Sequence, residues 1–222
     1  MKKIALGLVA VLLSGTANAA TIVSYDIKGA TLSGFGLWAH TYNGTITPTG
    51  GSAADYAGGS GTLNDGTPGT SEGDTQLFDN AFAPVITLKL KGTYKVSSLS
   101  FLTNAPGNSI PGNLTALDVT IGGNTETISL TDFGTFNNND FLPNDLATLG
   151  ALLSNTATNK IVLSNFVSAG FYSGYFSIGE IEVAGAAAGG VPEPAAWAMM
   201  LAGFGLVGGA MRRREKTTVT FA

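Results

Sequence analysis

Few side chains in this sequence are able to do covalent or acid–base chemistry, and their spacing limits them further. The 222 residues hold one histidine, His40, and no cysteine. That removes thiol nucleophiles, disulfides, zinc–thiolate and iron–sulfur sites, and any multi-histidine metal centre. A Ser-His-Asp relay would have to use His40, and no G-x-S-x-G elbow exists for it to serve. Glu180 and Glu182 stand two apart in the run YFSIGEIEV, so a regular strand puts both on one face. Paired carboxylates about 5–9 Å apart hydrolyse glycosidic bonds, although adjacent surface glutamates are far more often only solvated. Asp132 and Asp140 flank the asparagine run 137–139 and read as loop. There is no phosphate-binding loop and no dinucleotide fingerprint. The expectation is a non-enzyme, with hydrolysis a minor alternative.

Binding chemistry has more to stand on. Sugar rings present apolar C–H faces, so exposed Trp or Tyr with polar neighbours makes a platform for them. Trp38, the one tryptophan before the C-terminal segment, leads His40 and Tyr42 by two and four residues. In a strand all three share a face. A second cluster, GFYSGYF, sets Phe171, Tyr172 and Tyr175 in a glycine-punctuated loop, and loops run on the surface. The alternative for each ring is a plain core aromatic. Tyr172 is the better surface candidate, Tyr175 joins it and Trp38 as a candidate ligand contact, and Trp38 sits closer to the core reading.

Charge narrows the partners. Residues 20–191 carry five lysines and no arginine against thirteen acidic residues, a net of −8. Phosphate backbones are bound by Lys and Arg displacing counterions, so nucleic acid is excluded. The low charged fraction, 12% beside 44% hydrophobic residues, also argues against a disordered chain.

Both ends read as addresses. Lys2 and Lys3, the apolar run from Ile4 to Leu13, and Ala17-Asn18-Ala19 have the order of a secretory signal, helical and cleaved after Ala19. This implies the Sec translocon and signal peptidase as partners. At the other end, Ala195 to Met211 are seventeen uncharged residues, a helix of about 26 Å against a hydrocarbon core of about 30 Å. Arg212, Arg213 and Arg214 follow and favour the cytoplasmic side. A C-terminal transmembrane helix with the body outside the cytoplasm is expected. Trp197 suits the outer interface, and Gly205 and Gly209 have a spacing that allows close helix approach.

The stretch VPEPAAWAMMLAGFGLVGGAMRRR resembles the PEP-CTERM sorting signal in its tryptophan-containing variant. The likeness is carried by Pro192, Glu193, Pro194, Trp197, the apolar helix, and Arg212, Arg213 and Arg214. It implies a Gram-negative exported protein whose tail is recognised and removed by an exosortase-type enzyme. It also implies delivery to the envelope or matrix of an exopolysaccharide producer. The resulting organisation is a signal peptide (1–19), a body (20–185), a flexible linker (186–191), the sorting segment (192–214) and a polar cytoplasmic tail (215–222).

The elements that must position any site are strands. Short β-branched and aromatic runs separated by Gly, Asn, Asp and Pro predict an all-β sandwich. The expected strands are Ile22–Lys28, Pro84–Lys91, Lys95–Thr103, Leu117–Ile121, Thr125–Leu130, Lys160–Phe166 and Phe176–Val183. Asn144–Leu153 is the one predicted helix, with Asn144 or Asp145 as its cap. Asp55–Gly73, rich in glycine, is expected to be a long loop. In the last strand Phe176 and Ile178 have opposite parity to Ile181 and Val183. A bulge at or near Gly179 would turn both pairs to the core and re-aim Glu180.

GGSGTLNDG, PVITLKL, KVSSLSFL, IPGNLTALDVTIGG and YFSIGEIEV, in that order, resemble the galactose-binding-domain-like jelly rolls, discoidin-type and carbohydrate-binding modules among them. The resemblance implies a jelly-roll body. It also implies a structural calcium ion between Asp65 and Glu180, with Asp74 less securely placed. The expected function is non-catalytic carbohydrate binding, with the producer's exopolysaccharide as ligand. The alternative is a structural surface or biofilm protein without a specific ligand, and ice binding is a minor one.

Overall fold

The computed structural model describes residues 18–69, 71–104, 112–130, 141–170, 172–188 and 194–212. The signal segment before Asn18, Pro192, Glu193, Arg213, Arg214, Asp132, Asp140, Phe171 and the tail 215–222 lie outside them. Of Pro194, Trp197 and Arg212 only the backbone is described. The chain divides into two compact units, Met1–Ala188 and Gly189–Ala222.

The first unit is an all-β sandwich. Its strands are β1 (Asn18–Ala20), β2 (Ile22–Thr31), β3 (Thr45–Gly50), β4 (Ala53–Gly59), β5 (Gln76–Asp79) and β6 (Val85–Asn104), then β7 (Asn113–Ile121), β8 (Asn124–Ser129), β9 (Phe141–Thr148), β10 (Ala157–Ala169) and β11 (Tyr175–Ala187). One path of antiparallel pairing runs β3-β4-β2-β6-β10-β7-β8. β11 pairs with β1, β5 and β6, and β9 with β6. β6 belongs to both layers: Val85–Leu90 pair with β2, and Lys95–Thr103 with β11. Between these halves Gly92 has φ +101, a bend that residues with a side chain rarely adopt. The two strands expected at 84–91 and 95–103 are therefore one bent strand.

Alternation fills the interior. Ile86 and Leu88 of β6 are fully buried with Tyr25 and Ile27 of β2. Leu99 and Phe101 in the other half of β6 are buried with Ile181 and Val183 of β11. The rings of Phe78 (β5), Phe176 (β11) and Phe166 (β10) stack, with 4.9 Å between the centroids of Phe176 and each neighbour. Burying one such ring stabilises the fold by roughly 1.5–3 kcal/mol.

Several expectations need correction. The helix at Asn144–Leu153 is mostly strand: β9 pairs with β6 from Phe141↔Asn104 to Thr148↔Ser98, and only Ala151–Ser154 form a helix, α1. A ten-residue helix is marginal by itself, and the open edge of β6 offers a full ladder of hydrogen bonds instead. The long loop begins later, because Asp55–Gly59 belong to β4, where Ala53, Ala54 and Tyr56 pack inward. β3 and β5 were also not anticipated. The linker expected at 186–191 starts as strand, since Ala186 pairs with Lys95 and Ala187 with Tyr94.

The second unit contains α2 (Pro194–Arg212), along which Met199–Gly209 are exposed. The transmembrane span expected at Ala195–Met211 is not recovered. Among the described residues no helix is long and apolar enough to cross a membrane. The segment is short for a span, and Gly203, Gly205, Gly208 and Gly209 dilute its apolar character.

Candidate functional site

The bulge in β11 organises the site. The register with β6 shifts between Ile178↔Thr103 and Glu180↔Leu102, leaving Gly179 unpaired. Phe176, Ile178, Ile181 and Val183 are consequently all core residues, as the parity of the sequence required. A loop packs directly onto the bulge. A Cβ on Gly179 would lie 2.8 Å from the Gly69 backbone nitrogen, a distance only glycine permits. The Ile181 N–H donates to the Leu63 carbonyl at 3.0 Å.

Glu180 is thereby turned beneath the Asn64–Thr67 turn, with 5% of its surface exposed. The Gly66 N–H donates to Glu180 Oε2 at 3.0 Å. Burial pushes the Glu180 carboxyl up to about 7. The Asp65 and Glu182 charges act in the same direction, and the Gly66 and Asp65 N–H groups oppose them. Glu182, two residues on, is exposed. Both glutamates line a cavity of about 560 Å³, a size typical of small-ligand pockets. Ser98 and Ser100 of β6 and Asn64 of the loop add polar groups to it. The rest of its lining comes from Ala19–Ile22 and Ile181–Ala184, among which Ala20, Ile22, Ile181 and Val183 are core residues. The Ser98 and Ser100 contribution escaped the sequence reading. The signal was present in Ser-Leu-Ser-Phe (98–101), whose parity sends both serines away from the buried Leu99 and Phe101.

Asp65 and Glu180 are therefore neighbours. Among the described residues no three His, Cys, Asp or Glu side chains surround a common point. One Glu180 oxygen is occupied by an amide hydrogen, and Asp74 Oδ1 accepts from the Ser71 N–H and Oγ. Calcium takes six to eight oxygens, and this donor set does not by itself fit it. The loop is fastened to β11 by a direct hydrogen bond.

The aromatic candidates separate. Trp38 is 5% exposed, closing a turn in which the Gly34 N–H donates to its carbonyl at 2.7 Å, so it presents no platform. Its neighbours do not share an open face with it, because 34–41 is not a strand. His40 Nε2 lies 2.8 Å from Tyr56 Oη, and burial pushes the imidazole down to about 4. Tyr42 Oη donates to the Tyr25 carbonyl and accepts from the Gly59 N–H, each at 2.8 Å. These rings brace the β2–β4 region. Tyr172 is 39% exposed, and Tyr175 is half-buried opposite Asp79. Tyr172 lies in the turn before β11 and Tyr175 begins the strand, whereas Glu180 and Glu182 lie five and seven residues after Tyr175.

For the C-terminal unit a comparison decides: residues 190–214 match the PEP-CTERM protein-sorting motif. The chain carries a PEP-CTERM tail. No curated protein sequence matches the chain. Solved structures similar to it include a family 32 carbohydrate-binding module of Clostridium perfringens NanJ in complex with galactose. That pair is 16% identical with a TM-score of 0.37, covering 65% of this chain and 93% of that one. A second C. perfringens module, in complex with GlcNAc-α-1,4-galactose, is 18% identical with a TM-score of 0.39, covering 77% and 96%. An F5/8 type C domain of a Bacteroides fragilis protein is 16% identical with a TM-score of 0.34, covering 57% and 80%. The PEP-CTERM tail marks an exported protein, and the β-sandwich before it is what the tail delivers.

Proposed function

We propose that this protein is a non-catalytic carbohydrate-binding component of the cell envelope or extracellular matrix. It would be exported through the Sec translocon, cleaved by signal peptidase after Ala19, and sorted by an exosortase-type enzyme that removes the PEP-CTERM tail. Before that removal, the precursor carries its sorting tail with the body outside the cytoplasm. The ligand is the producer's exopolysaccharide, in a biofilm setting.

The observation that carries the binding reading is the cavity beside Glu180. It gathers hydroxyl and carboxylate hydrogen-bonding groups (Ser98, Ser100, Glu182) in one concavity, partners of the kind that a sugar's hydroxyls require. Catalysis is disfavoured by the same geometry. A general acid must face the bond it protonates, and Glu180 is turned onto Gly66.

Affinity electrophoresis of the full chain through gels containing the exopolysaccharide tests the proposal. Retardation that rises with polysaccharide concentration and disappears in Ser98→Trp, which fills the cavity, is the expected result. Unchanged migration at every concentration would leave the purely structural alternative. Calcium is tested separately: equal melting temperatures in calcium and in chelator are expected for a loop fastened by Gly66. A chelator-sensitive melt lost in Glu180→Gln would instead place the ion there.

A further inference from the structure

The lysines of the body are gathered in one place, and it is not the cavity. Residues 20–191 hold five lysines against thirteen acidic residues, yet four of the five, Lys89, Lys91, Lys95 and Lys160, fall on the neighbouring strands β6 and β10. Neither strand contains an Asp or Glu. Leu88 and Leu90 point into the core, so Lys89 and Lys91 share the outer face of β6. Lys160 of β10 stands directly opposite Lys89 in the antiparallel register. Lys95, beyond the bend at Gly92, is paired with Ala157, three residues before Lys160 on the same strand. The other segments that meet this bend, Ala20–Ile22 and Gly185–Ala188, are free of acidic residues too.

The fold holds this arrangement against its own electrostatics, because like charges directly opposite on neighbouring strands destabilise a sheet. Asp26 answers one of the four, at 2.8 Å from Lys89 Nζ. Lys91, Lys95 and Lys160 are exposed and have no carboxylate partner among the described residues. Unanswered cations concentrated on a body of net −8 make a local field that draws anions to that face. Neighbouring strands lie about 5 Å apart and alternate residues about 7 Å, so the lysines present isolated charges at that interval. A DNA duplex is much denser, with one charge per ~1.7 Å of axis, and the body has no arginine to fork its phosphates. A polysaccharide with one carboxylate per sugar unit separates its charges by a whole ring, which suits lysine point charges.

We propose that the lysine cluster of β6 and β10 binds an anionic polysaccharide, one carrying uronate carboxylates along its chain. Successive carboxylates meet Lys91, Lys89, Lys160 and Lys95, and the polymer supplies the counter-charge that the fold leaves out. This surface is separate from the cavity, which is lined by Glu180 and Glu182 and by no lysine. The two surfaces sort polymers by charge, so a body with a neutral chain in the cavity and an acidic one on the lysines ties the two together. The inference takes the matrix setting from the function proposed above and uses nothing of the cavity.

The test is calorimetric titration of the full chain, at low salt and in chelator, with polygalacturonate and with its fully methyl-esterified form. Polygalacturonate should bind, more weakly as salt rises, and the uncharged ester should not. Lys91→Gln combined with Lys160→Gln should weaken binding at least about fivefold. The melting temperature should not fall, because one of the two opposed lysines is gone. Lys28→Gln, outside the cluster, and Ser98→Trp, in the cavity, should bind as the parent does. No binding of polygalacturonate, or binding that the double variant keeps or that Lys28→Gln weakens equally, overturns the proposal. Duplex DNA bound as tightly at equal charge would show a general polyanion surface and overturn the saccharide assignment. In each of these cases the cavity reading stands, since it is decided by Ser98→Trp and the exopolysaccharide.

Discussion

The Gly66 amide makes a carboxyl as buried as Glu180 tolerable, and the two residues should be inseparable energetically. Glu180→Ala removes the acceptor, orphans a backbone N–H and opens space, and should destabilise the body by about 1–3 kcal/mol in denaturant titration. Glu180→Gln keeps an acceptor without the charge and should be more stable than the parent above pH 7. The pH profile carries a second signature. Because Glu180 is raised to about 7, its contribution is full below the ordinary carboxyl value of 4.5 and is lost as pH climbs through about 7. His40, depressed to about 4 from 6.5, contributes fully above 6.5 and loses that contribution as pH falls through about 4. Between about 4.5 and 6.5 the two slopes oppose, and the melting temperature of the parent should be nearly flat there. Glu180→Gln should unmask the His40 slope, so that the melting temperature rises with pH from about 4 to about 6.5. A variant as flat as the parent would show that the two groups do not govern this window.

At the scale of elements, the bulge at Gly179 and the loop seated on it act as a unit. Gly179→Ala drives a methyl group into the Gly69 backbone. It should cost about 1–3 kcal/mol and make residues 60–75 sensitive to limited proteolysis. Protease resistance equal to the parent's would mean that the loop is held elsewhere. This bulge was legible in the sequence, because the parity of Phe176 and Ile178 conflicts with that of Ile181 and Val183 and only an extra residue reconciles them. The strands at Ile22–Lys28, Leu117–Ile121 and Lys160–Phe166 were legible from their β-branched and aromatic runs. What could not be read depends on partners distant in sequence. β9 is a strand because β6 has an open edge beside it, not because Phe141–Thr148 alternates. β4 is built of alanine and glycine, which carry no strand signal until Ile27 and Tyr25 are known to lie beside them. The cavity was visible only in fragments: Glu180 and Glu182 stood out, while Ser98 and Ser100 gained meaning once β6 and β11 were paired. Trp38 took the core alternative, because an aromatic in a glycine-rich run is as suited to plugging a turn as to lying on a surface.

The whole molecule joins an acidic β-sandwich to an address. If the PEP-CTERM tail is read as proposed, Glu193→Ala in the producing organism should leave a full-length precursor in the membrane fraction, whereas the parent loses about thirty C-terminal residues. Identical processing of both would separate the motif from its expected enzyme. β1 adds a link between the two ends of the body. Ala19 and Ala20 pair with Ala184 and Val183 and line the cavity, so the cleavage proposed after Ala19 would trim that lining. The exported form is therefore the one whose binding matters. The most direct measurement is the affinity of the exported protein, isolated from its own envelope, for the producer's exopolysaccharide, compared with that of the Ser98→Trp protein. Saturable binding that the tryptophan abolishes, with the melting temperature unchanged, is the predicted result. Binding that survives a filled cavity, or no binding by the parent, would contradict the assignment of this cavity as a carbohydrate site.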